Sequence, residues 1–143
     1  MLYDPTNPVV QLCARGIEIE HAGDVAQASE IYRQAWEEAS CPLEACTAAH
    51  YLARVQTDPG ESLRWNLVAL EQAALVTGEE IGVIYPSLHL NVAHGYELMG
   101  DPVGRAKALE HFLLAERACS SLGSDGYGSM IKKGVEAGLA RIR

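Results

Sequence analysis

Residues 16–35 read GIEIEHAGDVAQASEIYRQA. Gly16, Ile19 and Ala22 continue a helical spacing begun by Val9, Leu12 and Cys13, and Gly23-Asp24 interrupts it. A glycine after a periodic run ends a helix, and an aspartate beside it caps the next one through its side-chain oxygen. Beyond Asp24 the spacing resumes with Ala28, Ile31, Tyr32, Ala35 and Ala39. The stretch reads as the turn of a helical hairpin, with small residues where two helices cross closely.

The same punctuation recurs along the chain. Asn7-Pro8, Cys41-Pro42, Asp58-Pro59 and Asp101-Pro102 each open an apolar-periodic stretch. Proline suits a first helical turn, where its missing N–H is no loss, and Asn or Asp before it supplies a cap. Asp58 and Glu61 also stand at capping-box spacing. Gly23, Gly78, Gly100 and Gly123 follow the periodic runs as stops. Seven helices are predicted, over 8–22, 24–40, 42–56, 59–77, 80–99, 102–122 and 128–142. Pro86 makes the fifth begin late or kink. Gly123–Gly128 reads as a glycine/serine hinge before the last. No alternating β-branched run occurs, so the chain is expected to be all-α.

The hairpins repeat. Asp24, Asp58 and Asp101 each follow a predicted first helix, at separations of 34 and 43 residues. Aligned on the first two aspartates, Ala35 falls on Ala69, Glu37 on Glu71 and Ala39 on Ala73. Ala108, Phe112 and Ala115 repeat the spacing of Ala28, Tyr32 and Ala35. Eight positions before the aspartate stand Gly16 and Ala93, with His50 in the middle unit, or Ala49 after a one-residue slip.

On these residues the chain resembles the tetratricopeptide repeat (TPR) family, and within it the small single-domain bacterial type. Gly16, Ile19, Gly23, Asp24, Ala28, Tyr32 and Ala35 follow the family pattern. So do Ala93, Tyr96, Gly100, Ala108, Phe112 and Ala115, with a three-residue slip between the two helices. The middle unit departs from it at Ser62 and Asn66, and Ser40 replaces the usual closing proline of the first. The resemblance implies one domain over residues 1–143, a right-handed superhelical array of three hairpins. These are units 8–40, 42–77 and 80–122, with 128–142 as a capping helix. Such stacking suits helix pairs too small to bury both faces alone.

Composition narrows the function. Twenty alanines and 16 leucines among 143 residues favour helix, and 48% hydrophobic against 21% charged residues fits a folded domain. A formal charge of −8 argues against nucleic acid as partner. No apolar run is long enough for a membrane span. Met1–Pro8 holds Asp4 and no basic residue, unlike a signal peptide. With Cys13, Cys41, Cys46 and Cys119 scattered, reduced thiols in the cytoplasm are expected. The basic residues Lys132, Lys133, Arg141 and Arg143 suit a helix C-terminus.

Enzyme signatures are weak. No G-x-G-x-x-G, phosphate-cradling loop or nucleophile elbow occurs, and Ser87, Ser120, Ser121 and Ser124 sit in none. Glu18 and His21 form one Glu-x-x-His pair, without the second that a di-iron bundle needs. No cofactor is expected. The resemblance implies instead a groove lined by first helices, which binds a protein or peptide segment. By unit position it would comprise Cys13, Ile17 and Glu20, then Thr47, Tyr51 and Arg54, then Leu90, His94 and Glu97. Tyr85 and Asn91 lie on the same helix as the last set. Asn91 would reach a peptide backbone, and Arg54 would hold a carboxylate in a fork. Cys13 and Ile17 stand where carboxylate-clamping members of the family carry Lys and Asn, so such a clamp is not expected. Two other readings stay open. One is a small metal-assisted enzyme using His50, His89, His94 and Glu97. The other is a self-associating homodimeric regulator. His50 and His89 also read as packed core histidines.

Overall fold

A computed structural model describes residues 2–123 and 125–143. Met1, in the stretch read against a signal peptide, and Ser124, in the predicted hinge, lie outside the described residues. The elements are α1 (Pro8–His21), α2 (Val25–Glu38), α3 (Pro42–Arg54), α4 (Pro59–Ala73), α5 (Tyr85–Met99), α6 (Pro102–Ala118) and α7 (Gly126–Ile142). Short 3-10 turns lie at Glu79–Val83 and Cys119–Ser121, and no strand occurs among the described residues. None of the described helices is long and apolar enough to cross a membrane.

The expected caps form. Asn7 accepts from the amides of Val9 and Val10 at 2.8 and 3.1 Å. Asp24, Asp58 and Asp101 accept from the amides of Gln27, Glu61 and Gly104. Asp125 caps α7 in the same way through Gly128, so that helix starts two residues before its predicted beginning. Cys41 makes no such side-chain bond. Gly23 and Gly100, at φ 97° and 75°, take the left-handed conformation that reverses the chain between paired helices.

Several predicted ends shift; the sixth helix stops at Ala118 and not at 122, giving way to the 3-10 turn Cys119–Ser121. The fifth helix does not run from residue 80, because Pro86 lacks an N–H and its ring crowds the preceding turn. Residues Glu79–Val83 form a 3-10 turn instead, and α5 opens at Tyr85 with Pro86 in its first turn. The fourth ends at Ala73, where the last bonds tighten from Leu75 and Val76 to Gln72 and Ala73.

The chain divides into two compact units, Met1–Gly78 and Glu79–Arg143. In the first, α1, α2 and α3 pack on one another and α4 packs on α3. In the second, α5, α6 and α7 pack on one another. The two triplets are built alike. Val9, Cys13, Ala35 and Ala48 form a core cluster in the first. Leu90, Ala115 and Val135 hold the places of Cys13, Ala35 and Ala48 in the core cluster of the second.

One difference is instructive. In the first unit the Tyr32 ring from α2 lies against Gly16 of α1, where a Cβ would run into it. In the second the Phe112 ring from α6 lies against Gly138 of α7. Ala93 holds the place of Gly16, and Tyr51 of α3 that of Gly138. Each ring sits against whichever neighbouring helix offers the glycine.

Candidate functional site

In the first unit, three predicted groove residues converge at the ends of α1 and α3. The Glu20 carboxylate accepts the Tyr32 hydroxyl at 2.7 Å and an Arg54 Nη2–H at 3.0 Å. The Tyr51 ring stacks on Tyr32 with centroids 5.3 Å apart, and the Arg54 guanidinium lies 5.8 Å from the Tyr51 centroid. His50 meets Tyr51 edge to face at 4.9 Å. Burial, with Arg54 nearby, holds the His50 ring neutral, its pKa down to about 4. Burial and the bond to Glu20 push the Tyr32 phenol well above its usual range. Arg54 therefore already holds a carboxylate, that of Glu20, and its side chain is still 42% exposed.

In the second unit, Glu97 takes Arg141 through two bonds, from Nε at 2.9 Å and Nη2 at 3.0 Å. The hydrogen bond from Arg141 keeps the Glu97 carboxyl below its ordinary range. His94 Nδ1 lies 3.6 Å from Glu97, and the His94 ring meets Phe112 edge-on at 5.4 Å. Glu97 stands to Arg141 as Glu20 stands to Arg54. In both cases a carboxylate near the end of a first helix receives a guanidinium from the end of the helix two along. Arg141, grouped in sequence with a basic C-terminal cluster, is thus drawn off into an ion pair. Lys132 reaches the Leu122 carbonyl instead.

The other predicted positions divide. Cys13, Thr47 and Leu90 are buried, and Cys13 and Leu90 belong to the core clusters. The Thr47 hydroxyl donates to the Leu43 carbonyl one turn back. Burial lifts the Cys13 thiol to about 12, leaving it unreactive. Ile17 and Asn91 are half-buried. Tyr85 stacks on His89 at 5.9 Å.

His89 leads to a feature the sequence reading missed. Its Nδ1 lies 3.0 Å from Nδ1 of His111 on α6, and the Tyr96 ring stacks on His111 at 5.9 Å. The ring centroids are 5.2 Å apart, about two ring radii more than the nitrogen separation. The two nitrogens therefore point at each other nearly in line. A metal between in-line nitrogens would need about 2 Å to each. A separation of 3.0 Å fits one shared N–H, with one ring donating and the other accepting. Burial, and for His89 the neighbouring His111, lowers both rings' pKa, that of His89 to about 4. Each histidine considered as a metal ligand meets another side chain instead. His50 meets Tyr51, His89 meets His111, and His94 meets Glu97. Among the described residues, no three His, Cys, Asp or Glu gather around one point.

Compared with models of protein families, with curated proteins and with solved structures, the chain matches none.

Proposed function

We propose that the chain is a protein-interaction module of TPR type. In this reading it is a right-handed superhelical array of three hairpins and a capping helix. It acts in the cytoplasm, binds a peptide or protein segment along its first helices, and performs no chemistry of its own. The observation that carries this reading is the recurrence of one three-helix frame. Gly16 with Tyr32, Ala28 and Ala35 returns as Ala93 with Phe112, Ala108 and Ala115, all of them buried. The Glu20–Arg54 pair returns as Glu97–Arg141.

The capping role of α7 has its own support. Aligned on Arg54 and Arg141, Lys133 and Glu136 of α7 hold the places of Cys46 and Ala49 on α3. Those two are buried in the first unit, whereas Lys133 and Glu136 are exposed. An array ends on a helix with a polar outer face.

The side chains offered to a ligand are Ile17, Tyr51, Arg54, Tyr85, Asn91 and His94. Because Glu20 and Glu97 already neutralise the two arginines, the surface favours a neutral, hydrogen-bonding segment over a carboxylate. Binding would rest on a few aromatic and polar anchors. Selection from a random peptide library tests this. Enriched peptides should bind either single variant about tenfold or more weakly, with helicity unchanged. Peptides indifferent to both substitutions, or no enrichment at all, would contradict the proposal.

A further inference from the structure

We propose that the outward face of α6 is a homotypic interface, through which two copies of this chain pair antiparallel. Val103, Lys107, Glu110, Leu114 and Arg117 recur along α6 at alternating steps of four and three residues, the spacing of a coiled-coil seam. They lie to one side of the buried Gly104, Ala108, Phe112 and Ala115, with Val103, Lys107 and Leu114 about 100° round the helix from the buried residue that follows each, and Leu114 half-buried. Val103 is 69% exposed, and the Lys107 and Glu110 side chains are half exposed. Pro102 and Ala106 join Val103, Lys107 and Glu110 around a shallow surface depression. Leu98 and Met99, just before the α5–α6 turn, are exposed as well.

The charges identify the occupant. In an antiparallel pair of identical helices, one register sets Lys107 opposite Glu110 of the second copy. The two-fold symmetry then sets Glu110 opposite Lys107 of the second copy. The same register brings Val103 against Leu114 in both directions. It also sets Arg117 opposite Gly100, at the α5–α6 turn of the second copy and next to the α6 N-cap carboxylate of Asp101. Within one chain, Lys107 and Glu110 form only an exposed pair at 3.5 Å, which contributes little and can be exchanged. A contact of one helix face per chain is small, so the association is weak and concentration-dependent. The face lies on a second helix of the array, and the inference stands or falls independently of peptide binding.

Sedimentation velocity from micromolar to near-millimolar protein tests it. A monomer–dimer equilibrium is expected. Lys107→Glu or Glu110→Lys alone should weaken it about tenfold or more, because each puts like charges opposite one another. The double variant Lys107→Glu/Glu110→Lys should restore it. Mixing the two single variants should give a heterodimer, since each supplies the charge the other lacks. Circular dichroism confirms that each variant is folded. A chain monomeric throughout, a dimer indifferent to the single reversals, or a double variant that fails to recover would overturn the proposal.

Discussion

Glu97 on α5 holds Arg141 of α7 in a two-bond fork, and Glu20 on α1 holds Arg54 of α3 in the corresponding place. The weight of each pair falls on its carboxylate. The arginine side chains are 42% and 48% exposed, those of Glu20 and Glu97 only 16% and 25%. Losing an exposed cation costs about 1 kcal/mol or less. Losing Glu20 also strips the Tyr32 hydroxyl of its acceptor, at about 1–3 kcal/mol. Urea unfolding should therefore rank Glu20→Ala as more destabilising than Arg54→Ala. The reverse order would mean that the guanidinium, not the carboxylate, organises the site.

The glycines beneath the two rings should be intolerant. Alanine in a helix interior gains about 1 kcal/mol over glycine from propensity alone. At Gly16 and Gly138 that gain is overridden, because the new Cβ would meet the Tyr32 or Phe112 ring within the core. Overpacking of this kind costs about 1–3 kcal/mol. Gly16→Ala and Gly138→Ala should lower the unfolding midpoint. Gly126→Ala, in the first turn of α7 with nothing near the added carbon, should not. Equal effects at all three positions would refute the close packing.

These contacts also show what was legible in sequence. Helix number, caps and small crossing positions were readable because each depends on neighbours within a few residues, as at Asn7-Pro8 or Gly23-Asp24. The start of α5 was legible only as an ambiguity at Pro86. Glu20, Tyr51, Arg54, His94 and Glu97 were found through register, but their mutual pairing was not. Glu20 and Arg54 lie 34 residues apart, and Glu97 and Arg141 lie 44 apart. No local periodicity joins such residues. Cys13 and Leu90 share the register of the groove, yet they face inward, because α3 packs on α1 and α7 packs on α5; Thr47, on α3 itself, is buried with its hydroxyl turned back to the Leu43 carbonyl. His111 carried no signal, since its only distinction is that α5 brings His89 to it.

The histidines should make the fold acid-labile. His50 and His89 are held to about 4, by burial first and then by Arg54 and His111 respectively, and His111 is lowered by burial. The unfolded chain takes up protons near the ordinary histidine value of 6.5, where the folded rings do not. Stability is thus complete above that value and is lost as pH falls toward 4. A tenfold difference in proton affinity between the folded and unfolded chain corresponds to about 1.4 kcal/mol. Glu44, lowered chiefly by the Ser40 amide, and Glu97 add loss in the same direction at lower pH. The urea midpoint should be flat above neutrality and fall steeply below pH 6.5, with a shallower fall in His50→Gln. A midpoint unchanged down to about pH 5 would contradict this.

On the proposed function, first-helix side chains receive a peptide. Amide chemical-shift mapping tests it most directly, by titrating a peptide selected on the wild-type chain into labelled protein. The largest shifts are expected at Ile17, Glu20, Tyr51 and Arg54 on α1 and α3, and at Asn91, His94 and Glu97 on α5. Shifts confined to α2, α4 and α6, with those residues unmoved, would contradict it.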